Sequence, residues 1–179
     1  MPPKEEIITY SAEETKELGK NFSQKIIFVP TFSSKNKNSA SAIIICLEGE
    51  LGSGKTTFAQ GLLEGLGVEG PYTSPTFLIM KKYQGEILLK SKFQTLNKLK
   101  TLSVRRGKQM KFKVNIYHFD AYRVEANDIL DLGWEEIIAD KNNIVIVEWP
   151  ERIRKIIPAK TQKIKFEGIS EKKRKIIFM

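Results

Sequence analysis

The chain reads as an α/β protein with a mainly parallel central sheet flanked by helices and an antiparallel edge or terminal hairpin. Three observations predict this. Ala42 to Leu47 and Ile144 to Val147 are continuous runs rich in isoleucine and valine, too short for buried helices and typical of parallel strands covered on both faces. Thr57 to Leu66 carries Phe58, Leu62, Leu63 and Leu66 at helical spacing and stops at Gly67. Between the first strand and this helix, Gly49-Glu50-Leu51-Gly52-Ser53-Gly54-Lys55-Thr56 satisfies G-x-x-x-x-G-K-[ST]. That pattern describes a loop held between a buried strand and a helix, with its amides turned toward phosphate. The expected fold is therefore P-loop NTPase-like, and the 179 residues are expected to form one domain, 1–179, with a basic insertion at about 84–113.

The remaining elements follow from local signals. Glu6 to Tyr10 reads as a short edge strand. Ser11-Ala12-Glu13-Glu14 is a capping box, and the helix it starts, with Leu18 and Phe22 at i and i+4, is expected to run to about Gln24. Ile26 to Val29 resumes an apolar run that Pro30 ends. Residues 33 to 41 are small and polar and predict a flexible loop. Gly70 to Thr76 is a rigid, turn-rich connection, and Thr76 to Tyr83 is a strand. Within the insertion, Glu86 to Lys90 suits a hairpin strand, while the rest has no clean period. Val114 to Phe119 restores strand character. Asn127 or Asp128 is the expected cap of a helix carrying Leu130, Trp134, Ile137 and Ile138. Its interior Gly133 costs about 1 kcal/mol relative to alanine, which points to close packing or a break. Ile164 to Phe166 and Lys175 to Phe178 form the expected terminal hairpin.

Composition bounds the function. Apolar residues make up 41% and charged residues 28%, the balance of an ordinary globule, and the single cysteine, Cys46, excludes an internal disulfide. No run approaches the roughly 18 apolar residues of a membrane span, and MPPKEEIITY has no apolar signal region, so the cytoplasm is the expected location. The net charge of +9 is uneven. Residues 84 to 113 carry nine Lys/Arg against one Glu, and residues 160 to 179 carry seven against two. Such segments suit RNA or another acidic partner, or are simply solvated basic loops.

The chemistry is expected at the carboxyl ends of the parallel strands. Glu50, Leu51, Gly52, Ser53, Gly54, Lys55, Thr56 and Thr57 form the candidate nucleotide-binding segment, with Lys55 on the β- and γ-phosphates and the Thr56 hydroxyl on Mg²⁺. Glu148, after IVIV, occupies the position of a Walker B acid and binds the metal directly or through water. Asp120 ends VNIYHF and either shares the metal shell or orients the attacking water. Lys55, Asp120 and Glu148 are thus the catalytic candidates, and Thr56, Asp120 and Glu148 the metal candidates. His118, two residues before Asp120, projects to the same strand face and is either a site residue or a structural one. Arg123 approaches phosphate or pairs an acid. Trp149 packs on a base or closes the core. Asp140-Lys141-Asn142-Asn143 does not match the guanine-reading Asn-Lys-x-Asp pattern, which favours ATP as the nucleotide.

Five segments together resemble the TsaE family, small bacterial P-loop ATPases of tRNA threonylcarbamoyladenosine synthesis. They are Leu47 to Leu62, Ser74-Pro75-Thr76-Phe77, His118 to Arg123 as H-x-D-x-Y-R, Leu132-Gly133-Trp134-Glu135-Glu136, and Val147-Glu148-Trp149-Pro150. Their order matches as well, and with Ser11 to Gly19 the resemblance covers about two thirds of the chain. It implies an ATPase that associates with a TsaD–TsaB pair and resets it between cycles, without performing the threonylcarbamoyl transfer. It also implies Mg²⁺ on Thr56 and Glu148, an essential acid at Asp120, Trp149 at the edge of the site, and the segment from Ser11 to Thr15 close to adenine. The insertions at 33–41 and 84–113 depart from the family pattern. Two other readings stay open from the residues: a small-molecule or nucleoside kinase with the insertion as a lid carrying Arg105 or Arg106, and a nucleotide-gated RNA-binding module. No arginine finger is evident, with Arg123, Arg152 and Arg154 as candidates or a partner supplying one.

Overall fold

A computed structural model of the chain describes residues 5–27, 41–73, 75, 78–89 and 110–179. The expected loop at 33–41 up to residue 40, Val29 and Pro30, the motif residues Ser74, Thr76 and Phe77, and the insertion from 90 to 109, including Arg105 and Arg106, lie outside the described residues.

One seven-stranded sheet carries the fold. Its strands are β1 (Glu5–Thr9), β2 (Ile43–Gly49), β3 (Met80–Leu89), β4 (Met110–Asp120), β5 (Asn143–Glu148), β6 (Gln162–Gly168) and β7 (Arg174–Phe178). The spatial order is β1-β7-β6-β2-β5-β4-β3. The four central strands β6, β2, β5 and β4 are parallel. Antiparallel pairs close both sides: β6–β7–β1 at one edge and β4–β3 at the other. The mainly parallel sheet and terminal hairpin expected from the sequence are both present.

Strand alternation sorts the side chains into two layers. Ile45 and Leu47 of β2, Ile116 of β4, Ile144 and Ile146 of β5 and Ile176 of β7 face a core shared with α1 (Ala12–Ile27) and α2 (Lys55–Gly65). Phe22, Phe58, Phe166 and Phe178 meet there, with ring centroids 5.1 Å apart for Phe22–Phe178 and 5.4 Å for Phe58–Phe166. Ile44, Cys46, Phe119, Val145 and Val147 face the other layer, made by α3 (Ala126–Leu130), α4 (Trp134–Ala139) and the 3-10 turn Pro150–Ile153. Burial pushes the Cys46 thiol up to about 11, as suits a small core residue.

Three elements differ from the sequence expectation. Helix α1 does not stop near Gln24 but continues to Ile27, because Phe22 and Ile26 extend its buried stripe at i and i+4. The Leu130-to-Ile138 helix is two helices. Gly133 takes φ 80°, a left-handed conformation that ends one and caps the next, and the cap of the first is Glu125, whose amide donates to Asp128, rather than Asn127 or Asp128 itself. Strand β3 begins at Met80, later than expected, and runs to Leu89 against β4 in continuous register from Met80↔Phe119 to Leu89↔Met110. The flanks of the basic insertion are therefore sheet. Among the described residues, no helix is long and apolar enough to cross a membrane.

Helices α1 and α2 approach so closely that glycine is required at the contact. A β-carbon on Gly61 would lie 1.8 Å from the Lys16 carbonyl oxygen, and one on Gly65 would lie 2.3 Å from Ser23 Oγ. Helix propensity alone makes Gly61→Ala stabilising by about 1 kcal/mol. Packing reverses the sign: Gly61→Ala is expected to destabilise the protein by about 1–3 kcal/mol, measured by urea denaturation.

Candidate nucleotide site

The carboxyl ends of β2, β5 and β4 come together because of their register. Leu47 pairs with Glu148 and Glu148 with Asp120, so the two acids stand side by side where β2 passes into the phosphate loop. Backbone bonds lock this edge: Trp149 N donates to Leu47 O at 3.3 Å, and Ala121 N to Glu148 O at 3.0 Å. The loop then turns through Gly54, whose φ of 101° excludes an ordinary side chain, into the first turn of α2.

Glu148 is 2% exposed, yet both of its carboxylate oxygens are engaged. Thr56 Oγ1 donates to Oε2 at 2.8 Å, and His118 Nε2 lies 2.9 Å from Oε1. A carboxylate accepts, so Nε2 carries a proton, and Nδ1 is buried with no hydrogen-bond partner. The sequence left open whether His118 is structural. It is 1% exposed and holds the metal candidate directly, so it serves both ends. Asp120 is 6% exposed, and its Oδ1 accepts from the Tyr122 amide at 3.0 Å.

Lys55 is held back along its own loop. Its Nζ donates to the carbonyls of Gly49 at 2.7 Å and Glu50 at 2.8 Å, and lies 3.8 Å from the centroid of the Trp149 ring. Burial lowers its pKa, while Glu148, Glu151 and Asp120 pull the other way. Trp149 reaches Lys55 by adopting φ 61°, a left-handed conformation that costs a non-glycine residue about 1–2 kcal/mol. The ring also packs on Tyr122 at 4.8 Å between centroids. Trp149 therefore contributes to the site itself.

Lys55, Thr56, Asp120, Glu148 and Trp149 line one open cleft, together with Leu51, Gly52, Gly54, Thr57, Tyr122 and Arg174, and His118 stands behind Glu148. Of the other candidates, Ser53 lies within the loop with its hydroxyl buried and without a hydrogen-bond partner, and Glu50 offers its carbonyl to Lys55. Thr15 is fully buried, donating to Ser11 O at 2.9 Å and sharing a 2.8 Å hydrogen bond with Thr9 Oγ1. It backs the loop, with its methyl 3.5 Å from where a Gly54 β-carbon would be, and does not line the cleft; nor does Ser11. Ser11 caps α1 by accepting from Glu14 N at 3.1 Å, and Glu14 reaches back to the Tyr10 amide at 2.8 Å. Arg123, Arg152 and Arg154 are exposed and outside the lining. Arg174 is in it. Its signal in the sequence is only a basic run, Lys172 to Lys175, at the start of a strand.

The donor set suits Mg²⁺ bound together with phosphate. A hydroxyl and two carboxylates converge, whereas no group of three or more His, Cys, Asp and Glu among the described residues would hold a metal by itself. That is the pattern of a hard cation whose remaining ligands are water and substrate oxygens. Replacing His118 with alanine leaves Glu148 Oε1 buried without its donor. His118→Ala is therefore expected to lower stability by about 1–3 kcal/mol in denaturant titration, and a loss below about 0.5 kcal/mol would show that the pair is not needed to hold the acid.

A family model described as "Threonylcarbamoyl adenosine biosynthesis protein TsaE" matches residues 9–176. The chain is 31% identical over 135 residues to the tRNA threonylcarbamoyladenosine biosynthesis protein TsaE of Bacillus subtilis, spanning 75% of this chain and 68% of that protein. It is 28% identical over 134 residues to the protein of the same name from Treponema pallidum, spanning 74% and 78%. Among solved structures, Bacillus subtilis YdiB matches with a TM-score of 0.59 and 24% identity, over 99% of this chain and 86% of that one, which supports the P-loop NTPase fold.

Proposed function

The chain belongs to the TsaE family of threonylcarbamoyl adenosine biosynthesis proteins, and from that membership we propose that it is a Mg²⁺-dependent ATPase. Its ATP binding and hydrolysis are coupled to the cycle of a TsaD–TsaB pair that makes threonylcarbamoyladenosine in tRNA. The observation that supports this reading best is the buried Thr56–Glu148–His118 chain at the mouth of the phosphate loop, with Asp120 in register beside it. A phosphate loop alone needs no such acid. Turnover does.

In this reading the loop amides and Lys55 bind the phosphates. Lys55 exchanges the Gly49 and Glu50 carbonyls for phosphate oxygens, an exchange its partly desolvated charge favours. Thr56, Glu148 and Asp120 would hold Mg²⁺, which supplies charge neutralisation at the reacting phosphate. His118 orients Glu148 through Nε2. Asp120, fixed by the Tyr122 amide, orients water for in-line attack or shares the metal shell. Trp149 closes the cleft over Lys55. Any tRNA contact by this subunit runs through the basic segments 84–113 and 160–179, and a tRNA-modifying role suits the cytoplasm.

The test is Mg²⁺-dependent phosphate release from ATP, with and without purified TsaD–TsaB. The pair is expected to stimulate a slow basal rate, and Lys55→Ala and Glu148→Ala are each expected to lower the stimulated rate by about 10²-fold or more. ATP binding with neither association nor a change in turnover would overturn the coupling.

A further inference from the structure

We propose that Tyr122 is a positioning residue for the phosphate-binding lysine. Its ring holds the Trp149 indole over the Lys55 ammonium, and nucleotide affinity depends on that hold, with Tyr122 acting through Trp149. This deepens the nucleotide reading of the cleft and rests on it.

Three side chains from three elements stand in a row at the cleft. Tyr122 follows the end of β4, Trp149 follows β5, and Lys55 opens α2. The Tyr122 and Trp149 ring centroids are 4.8 Å apart with the planes inclined at 42°, and Lys55 Nζ lies 3.8 Å from the indole centroid. At such distances aromatic pairs and cation–π contacts are attractive. All three residues line the cleft. Neither ring is a core residue: each is half-buried, whereas Trp134 in the adjoining apolar layer is 1% exposed. The stack therefore contributes placement more than burial.

The backbone of Trp149 is fixed, and two side-chain torsions decide where its indole lies. Its N donates to Leu47 O at 3.3 Å and its carbonyl accepts from Arg152 N at 3.1 Å. The left-handed conformation, φ 61° and ψ 47°, persists only where surrounding contacts outweigh its strain. The indole packs against the apolar layer under α3 and α4, and it meets Lys55 and Tyr122 at the cleft. Lysine is a poor anchor, because its long stem has many rotamers. Tyr122 is a better one. Its amide donates to Asp120 Oδ1 at 3.0 Å, and the preceding Ala121 N donates to Glu148 O at 3.0 Å. Tyr122 is thus tied to both strand ends that carry the acids.

Lys55 gains from this arrangement. The indole face attracts the ammonium without accepting one of its protons as a carbonyl would. Trp149 can therefore stay in place when Lys55 trades the Gly49 and Glu50 carbonyls for phosphate oxygens. A lysine held in this way loses less side-chain freedom on binding, and the difference is gained as affinity.

The experiment titrates Mg-ADP and a non-hydrolysable Mg-ATP analogue into the native chain, Tyr122→Leu, Tyr122→Phe, Trp149→Leu and the Tyr122→Leu/Trp149→Leu double variant, each checked by its thermal midpoint. Acrylamide quenching of tryptophan emission reads the exposure of Trp149, since Trp134 is shielded. Tyr122→Leu is expected to weaken both nucleotides about three- to tenfold and to raise quenching, and Tyr122→Phe to restore both. In the Trp149→Leu background, Tyr122→Leu should change affinity by less than about twofold. Unchanged quenching in Tyr122→Leu would overturn the proposal, as would raised quenching with unchanged affinity. So would full additivity in the double variant, the mark of a tyrosine that touches the nucleotide itself. An equal loss in Tyr122→Phe would assign the effect to the hydroxyl and overturn it too. Failure of the native chain to bind either nucleotide is a different result, and would remove the reading of the cleft on which the proposal stands.

Discussion

The buried carboxyl group of Glu148 is the constraint around which the site is arranged. Burying an isolated carboxylate costs several kcal/mol, so it is tolerated only with its oxygens satisfied. Here one oxygen takes the Thr56 hydroxyl from the first turn of α2, and the other takes the His118 ring from β4. One side chain thereby ties three elements to a common point. The loop is positioned by β2 and α2, the second acid by β4, and the two cannot drift apart without leaving a buried carboxyl group short of a partner. The strained backbone of Trp149, the residue after Glu148, belongs to the same device, since it brings an aromatic face over the Lys55 ammonium.

Much of this was legible in the chain. The isoleucine and valine runs identified the central strands because burial on both faces leaves a continuous apolar signal, and the loop pattern placed Lys55 and Thr56 on a helix start. Glu148 and Asp120 were legible as strand-end acids because strand ends line the crevice of such sheets. Features without a local signature were not legible. The pairing of His118 with Glu148 depends on strand register, which no window of sequence contains. The contact of Arg174 with Gly54 joins residues from the end and the middle of the chain. Nor was the place of Thr15 legible: it is buried behind the loop, its hydroxyl bonded to Thr9 and Ser11.

The backing of the loop by α1 bears on how the site binds. Gly61 and Gly65 let α1 lie directly on α2, and Thr15 sits behind Gly54. A loop supported this way has little conformational freedom left to lose, so more of the contact energy of any ligand it holds would be expressed as affinity.

The β3–β4 ladder carries the chain away from this chemistry. Asp120 lies at the cleft end of β4, while Leu89 and Met110 lie nine register steps from the Met80↔Phe119 pair, about 30 Å along the strands. The same geometry concerns chain length. Closing a longer connection between two paired strand ends costs only about 0.6 kcal/mol for each doubling of its residues. The connection leaves the ladder at the Leu89↔Met110 pair, the end away from Asp120. This hairpin tip is thus where the polypeptide can lengthen, shorten or change composition while the catalytic register stays fixed.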